Sequence, residues 1–155
     1  MNFDITTSNY FAGNPNTHFV MAGRAYMNPP AADYRFKGIF FAGKDFSMGI
    51  PDPRSCPQAM TSPSIYFEMV YLPSFLATCA DPYKVLEDGV TYNVVMHIND
   101  AAISYWIYKG GVLWSSNGIY AADTTSYTDL VFIVVDRTPG VAFTIGITNL
   151  YHGWF

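Results

Sequence analysis

Apolar and polar residues alternate along most of the chain, whereas the periodicity of an amphipathic helix is nearly absent. The segments VTYNVVMHI (90–98) and VAFTIGIT (141–148) place an apolar side chain at every second position. Because successive side chains of a strand point to opposite faces of the sheet, this pattern predicts β-strands with one buried face. The segment DLVFIVVD (129–136) is apolar at consecutive positions, which predicts a central strand covered on both sides.

Turn sequences separate the predicted strands. In YWIYKGGVLW (105–114), Gly110 and Gly111 predict a tight hairpin, because glycine accepts the positive φ angles of such a turn. EDG (87–89) and DRTPG (136–140) predict two further turns. Additional strands are predicted at 17–27, 34–41 and 64–72. Strands at a spacing of about ten residues predict an all-β fold: an antiparallel β-sandwich, immunoglobulin-like or jelly-roll-like, with little helix.

The length of 155 residues is typical of one domain. Residues 49–63 contain four prolines and predict a loop, because proline lacks the N–H that the interior of a sheet requires. Two organisations follow from this loop. Either it is a connection within a single sandwich domain spanning 1–155, or it joins an N-terminal extension, residues 1–63, to the sandwich.

The low charge of the chain limits the kinds of molecule that it is expected to bind. Only 13% of the residues are charged, against about 25% in an average soluble domain, and the net charge is −4. The eight Lys and Arg residues are scattered and form no basic stripe, so nucleic acid is not an expected partner. Low charge also means weak repulsion between copies, which favours a homo-oligomer.

The sequence offers two hypotheses about the compartment. No apolar run approaches the roughly 20 residues of a membrane-spanning helix, so no transmembrane segment is expected. Asp4 stands where a signal peptide would carry positive charge. We expect a secreted or extracellular protein without a visible signal peptide, with a cytoplasmic protein as the alternative.

Cys56 and Cys79 either form one disulfide or remain two free thiols.

Little in the sequence supports catalysis. His18, His97 and His152 lack the spacing of metal ligands, so neither a metal nor a cofactor is predicted. The nucleophile motif GxSxG is absent. A glycosidase needs two carboxylates across a cleft, and Glu68 and Glu87 are the only glutamates, while most aspartates occupy turns. A non-enzymatic protein is therefore expected.

Aromatic residues crowd the last third of the chain. Trp and Tyr rings stack on the C–H face of a sugar while polar neighbours bind its hydroxyls, and WSSNG (114–118) and AADTTSY (121–127) supply such neighbours. The predicted carbohydrate-binding residues are Trp106, Tyr108, Trp114, Asn117, Tyr120 and Asp123. Rings of these types also fill cores and subunit interfaces. The alternative is therefore a structural or assembly subunit, such as a capsid, spike or coat protein.

The segments KVLEDGVTYNVVM (84–96) and GIYAADTTSYTDLVFIVVDRTPG (118–140) resemble the fungal immunomodulatory proteins, small mushroom proteins with an immunoglobulin-like or fibronectin-III-like sandwich. That family has a Lys-Val-Leu sequence, a short turn, a Tyr-containing strand, a Gly-Ile-Ala-Asp-Thr type segment and an apolar strand ending in Val-Val-Asp. The matching positions are Lys84, Val85, Leu86, Asp88, Tyr92, Val94, Ala122, Asp123, Thr124, Val131, Phe132, Val134, Val135 and Asp136.

The resemblance covers roughly the C-terminal half of the chain, with gaps. It implies a non-enzymatic, lectin-like protein that recognises cell-surface glycans. The chain departs from the family in its greater length, in Cys56 and Cys79, and in having no amphipathic helix at its start. The helix-mediated dimer of that family is therefore not implied here.

Overall fold

The computed structural model describes residues 1–8, 19–28, 33–42, 64–71, 74–82, 84, 86–120, 122, 127, 129–135 and 143–153. Within these ranges the regular secondary structure is entirely β. The strands are β1 (Asn2–Ser8), β2 (Phe19–Asn28), β3 (Asp33–Ala42), β4 (Ser64–Tyr71), β5 (Ser74–Pro82), β6 (Thr91–Ile98), β7 (Ala102–Lys109), β8 (Val112–Tyr120), β9 (Asp129–Val135) and β10 (Thr144–Tyr151).

The strands form two five-stranded antiparallel sheets, which confirms the predicted all-β sandwich. Sheet A has the order β10-β1-β6-β7-β8, and sheet B has the order β5-β4-β3-β2-β9. Consecutive strands β2 to β5 form one meander and β6 to β8 form another. The chain moves between the sheets after β1, β5, β8 and β9, so that β1 lies between β6 and β10 while β2 lies between β3 and β9.

The core lies between the two sheets and follows from the alternation seen in the sequence. In β6, Tyr92, Val94 and Met96 are fully buried, while the residues between them are partly or fully exposed. Strand β3 contributes Ile39 and Phe41 from the opposite sheet to the same apolar cluster. Packing of the two inner faces is therefore the main source of stability, as in other β-sandwiches.

The predicted hairpin is present. Gly110 and Gly111 join β7 to β8 with φ angles of 57° and 79°, and Gly89 in the predicted EDG turn has a φ of 78°. Glycine adopts these left-handed conformations without the steric cost of a Cβ atom. The positive φ angles at these three positions thus explain why glycine occupies them in both turns.

The position of β9 differs from the prediction of a covered central strand. It lies at the edge of sheet B and pairs only with β2 among the described strands, and its Ile133 and Val134 are 37% and 42% exposed. A run of apolar residues thus indicates a strand, but it does not fix that strand's place in the sheet.

Strands β1 and β5 were not predicted from the sequence. In β1, Phe3, Ile5 and Thr7 are buried, and the polar residues between them face the other way. Strand β1 belongs to sheet A, whereas β2 and β3 belong to sheet B, so these three strands contribute to both layers of the sandwich. The proline-rich loop 49–63 and Cys56 lie outside the described residues, and the pairing of Cys56 with Cys79 stays a prediction.

Candidate functional site

The outer face of sheet A is the surface formed by the side chains that point away from the core in its strands. Because the strands are in register, these residues form rows across the sheet. We define the outer face by Asn2, Asp4, Thr6, Thr91, Asn93, Val95, His97, Ser104, Trp106, Tyr108, Leu113, Ser116, Tyr120, Thr148 and Tyr151. Asp4 is the only acidic residue of this set, and the set contains no Lys or Arg.

Three rings on this face come from the neighbouring strands β6 and β7. Trp106 pairs with Val95, and the imidazole of His97 lies diagonally beside it, with ring centroids 5.1 Å apart in an edge-on arrangement. Tyr108 follows on the same side of β7. Trp106 and Tyr108 are half-buried and His97 is exposed. The indole is therefore held by its neighbours while part of its surface remains accessible to solvent.

Hydrogen-bonded polar groups lie next to these rings. The Asn93 amide donates to Asn2 Oδ1 and to Asp4 Oδ1, both at 2.8 Å, and Asn149 Nδ2 donates to Asp4 Oδ2 at 2.6 Å. Asn93 is also the cross-strand partner of Tyr108. Carboxylate and amide groups are thus fixed in position beside an aromatic surface, an arrangement that suits recognition of hydroxyl-rich ligands.

The structure does not bring the six predicted binding residues together on one surface. Trp106 and Tyr108 lie on the outer face, as does Tyr120 at the end of β8, where it is 77% exposed. Trp114 and Asn117 point elsewhere. Asp123 lies outside the described residues, so its place relative to the others stays a prediction.

Trp114 packs against the hydrophobic core. The register of β7 and β8 shifts between Ile107 and Tyr108, and this irregularity changes the alternation of β8. The centroid of the indole lies 4.9 Å from that of the buried Tyr92 ring. The Lys84 ammonium lies 4.7 Å from the indole centroid and makes a cation–π contact with it. The same ammonium donates to the Trp114 carbonyl oxygen at 2.9 Å.

A polar chain next to Asn117 joins the edges of the two sheets. Ser115 Oγ donates to Asp81 Oδ2 at 2.6 Å and lies 3.1 Å from the hydroxyl of Tyr105. The Asn117 amide donates to the carbonyl oxygen of Ala80. Burial, together with the charge of Asp81, raises the pKa of the Tyr105 phenol well above its usual range. These contacts connect β8 of sheet A to β5 of sheet B.

A cleft with about 150 Å³ of free volume adjoins the outer face where β1 begins. Strand β1 starts at Asn2, which pairs with Val95, and β6 continues past this pair to Ile98. The residues that line the cleft are Met1, Arg24, Met96, His97, Ile98, Asn99, His152 and Gly153. None of these lining residues carries a carboxylate.

Three basic groups converge on this cleft. Arg24 lies on the same side of β2 as the core residue Ala22, and its Nη2 is 3.0 Å from His152 Nε2. The Met1 ammonium donates to the carbonyl oxygen of Met96 at 2.8 Å. The pKa of His152 is lowered, first by burial and then by the charges of Arg24 and the Met1 ammonium. Burial likewise lowers the pKa of Arg24 and, with the charge of Arg24, that of the Met1 ammonium.

Local sequence patterns do not predict this cleft, because Arg24 and His152 are separated by 128 positions. Among the residues that the structure describes, no group of three His, Cys, Asp or Glu side chains is placed to hold a metal ion. Nor does that part of the chain contain a helix long and apolar enough to span a membrane.

Comparisons with known proteins identify no relative: no protein-family model matches the chain, and no curated protein or solved structure matches it significantly. The resemblance to the fungal immunomodulatory proteins therefore depends on the sequence segments alone and stays a prediction.

Proposed function

We propose that this protein is a non-enzymatic, lectin-like protein that binds carbohydrate on the outer face of sheet A. The observation that supports the proposal most directly is the half-buried Trp106, held edge-on by His97 and flanked by the fixed Asn93–Asp4 hydrogen bonds. A sugar ring offers an apolar C–H face to an indole and hydroxyls to amides and carboxylates.

Charge and geometry agree with a sugar ligand. With Asp4 as its single acidic residue and no Lys or Arg, the outer face is polar without attracting strongly charged macromolecules. A binding site that lies on a sheet surface buries little of its ligand, so each site is expected to be weak. A homo-oligomer that presents several such faces to one cell surface would gain affinity through multivalency. We therefore place its ligands among cell-surface glycans, encountered by a secreted protein.

The test is a glycan-array screen of the wild type beside Trp106→Ala and a control, Ile133→Ala. Ile133 is an exposed residue on an edge strand of the other sheet, so its loss removes apolar surface without touching the outer face of sheet A. We expect binding to one glycan class, its loss in Trp106→Ala and its retention in Ile133→Ala, with both variants folded by circular dichroism. Absence of binding by the folded wild type would overturn the proposal.

The alternative function, a structural or assembly subunit, has one specific observation in its favour. Strand β8 is an edge of sheet A, and its Val112 and Leu113 are 70% and 51% exposed. Exposed apolar residues on an edge strand favour pairing with another chain. Multi-angle light scattering of the wild type and Leu113→Lys tests this: a large closed assembly that the substitution dissociates, with no glycan binding, would favour the assembly function.

A further inference from the structure

We infer that the ligand is an acidic saccharide, whose ring lies against Trp106 and whose carboxylate or sulfate group enters the cleft between Arg24 and His152. The inference rests on the proposed function and adds to it the chemical class of the sugar. It depends on three observations: the basic groups of the cleft, its free volume, and its position beside the outer face.

The cleft has the charge and the room for an anionic group. The guanidinium of Arg24, the imidazole of His152 and the Met1 ammonium approach it from different elements, and none of the described lining residues supplies a carboxylate. A volume of about 150 Å³ is ample, since a cavity needs only about 10–15 Å³ to hold a water molecule. Arginine binds carboxylates and sulfates through two parallel N–H groups.

The contact between Arg24 and His152 indicates how an anion would be held. A guanidinium can only donate hydrogen bonds, so His152 Nε2 must be the acceptor at 3.0 Å and its ring is neutral in this contact. An anion placed between the two would replace that bond, accepting from Arg24 on one side and from a protonated His152 on the other. The repulsion between a protonated His152 and Arg24 would then be offset by the attraction of both groups to the ligand.

His97 connects the cleft to the aromatic surface. It lines the cleft and also contacts the Trp106 ring on the outer face. A sugar ring stacked on Trp106 would therefore lie beside the cleft, with His97 between the indole and the cleft. Asn99 also lines the cleft, and the fully buried Lys37 holds its backbone, because Lys37 Nζ donates to the Asn99 and Asp100 carbonyl oxygens at 2.7 and 3.2 Å.

Three small probes test the inference: methyl β-D-glucoside, methyl β-D-glucuronide and the 6-sulfate of the glucoside. They share one ring and differ only in the group at its sixth carbon, so the two acidic sugars distinguish a carboxylate from a sulfate. Binding is followed by NMR titration of the wild type, Arg24→Gln, His152→Gln and Trp106→Ala. Lys109→Gln is the control, because it removes one positive charge at the opposite end of β7.

We expect at least one acidic sugar to bind about tenfold more tightly than the glucoside, which corresponds to about 1.4 kcal/mol. Arg24→Gln should remove this preference, Lys109→Gln should preserve it, and Trp106→Ala should weaken the binding of all three sugars. His152→Gln gives an independent result if Arg24→Gln fails to fold.

Other results separate the two proposals. Equal affinities for the three sugars, unaffected by Arg24→Gln, would overturn the acidic-sugar inference and leave the lectin proposal standing. A preference for acidic sugars that survives Arg24→Gln and His152→Gln would also overturn it. Binding of the acidic sugars that depends on Arg24 but not on Trp106 would overturn the stacked arrangement. If no probe binds, the inference fails, and the glycan array decides the lectin proposal independently.

Discussion

The indole rings of Trp106 and Trp114 lie on opposite faces of sheet A, although the two residues belong to one hairpin. Trp106 faces outward beside the exposed His97, whereas Trp114 packs on the buried Tyr92 beneath Lys84. The register shift of β7 and β8 between them produces this difference. The two residues should therefore respond differently to the same substitution.

Trp114→Ala should lower the free energy of unfolding by about 2–3 kcal/mol, because it removes a partly buried ring and leaves a cavity beside Tyr92. Trp106→Ala should cost about 1 kcal/mol or less, as expected away from the core. Urea denaturation of both variants measures this difference. Equal losses of stability, or a larger loss for Trp106→Ala, would show that Trp106 is a packing residue and would weaken its role in binding.

Close packing of two strands makes a glycine pair in sheet B sensitive to substitution. Gly23 and Gly38 face each other across β2 and β3, and the ring of Phe36 lies over both. A Cβ atom at Gly38 would collide with the Ala22 carbonyl oxygen and with Phe36 Cζ. We expect Gly38→Ala to destabilise the protein by about 1–3 kcal/mol through overpacking.

The matched control for Gly38→Ala is Gly146→Ala, also in a strand. A Cβ at Gly146 would have its nearest neighbour, the Thr6 carbonyl oxygen, at an ordinary distance of 3.8 Å. This substitution should be neutral or slightly stabilising, because alanine loses less backbone entropy on folding. Thermal unfolding of both variants gives the comparison. Similar melting temperatures would contradict the close approach of β2 and β3.

The hydrogen bonds of Ser115 should stabilise the junction of the two sheets. Ser115→Ala removes the partner of both Asp81 and the buried Tyr105 hydroxyl, and we expect a loss of about 1–3 kcal/mol. A double-mutant cycle of Ser115→Ala with Tyr105→Phe measures the coupling directly. If the two losses simply add, the Tyr105–Ser115 contact contributes nothing of its own.

The local sequence pattern was sufficient to predict much of the fold. Alternation predicted β6 and β10, and the Gly110-Gly111 turn predicted the hairpin, because strand periodicity and turn conformation depend on adjacent residues. The edge position of β9 could not be predicted in this way. Its place depends on pairing with β2, which precedes it by about a hundred positions.

The same distinction applies to the candidate site. Alternation places Trp106 and Tyr108 on one side of β7, and the structure agrees. It could not place Trp114, because a register shift is a property of two paired strands rather than of one sequence. Nor could it predict the cleft, in which Arg24 from sheet B meets His152 from the end of the chain.

The basic cleft should also make the protein's stability depend on pH. The pKa of His152 is lowered in the folded protein, where Arg24, the Met1 ammonium and His97 line the same cleft. Since folding disfavours the charged imidazole, its contribution is fully present above the unfolded pKa of about 6.5 and is lost as the pH falls through the lower folded value. Urea denaturation between about pH 7 and pH 5 should show this loss, and His152→Gln should reduce it.

An acidic sugar should reverse the effect of pH on this cleft. Protonated His152 attracts the carboxylate of methyl β-D-glucuronide, which stays ionised throughout this pH range because carboxylic acids titrate at about pH 4 or below. Its affinity should therefore rise as the pH falls from about 7 to 5, while that of the uncharged methyl β-D-glucoside stays constant. His152→Gln should flatten the glucuronide profile without changing the glucoside one. An affinity for glucuronide that is constant or falls over this range would place the carboxylate away from His152, because an anion beside that imidazole must favour its protonation.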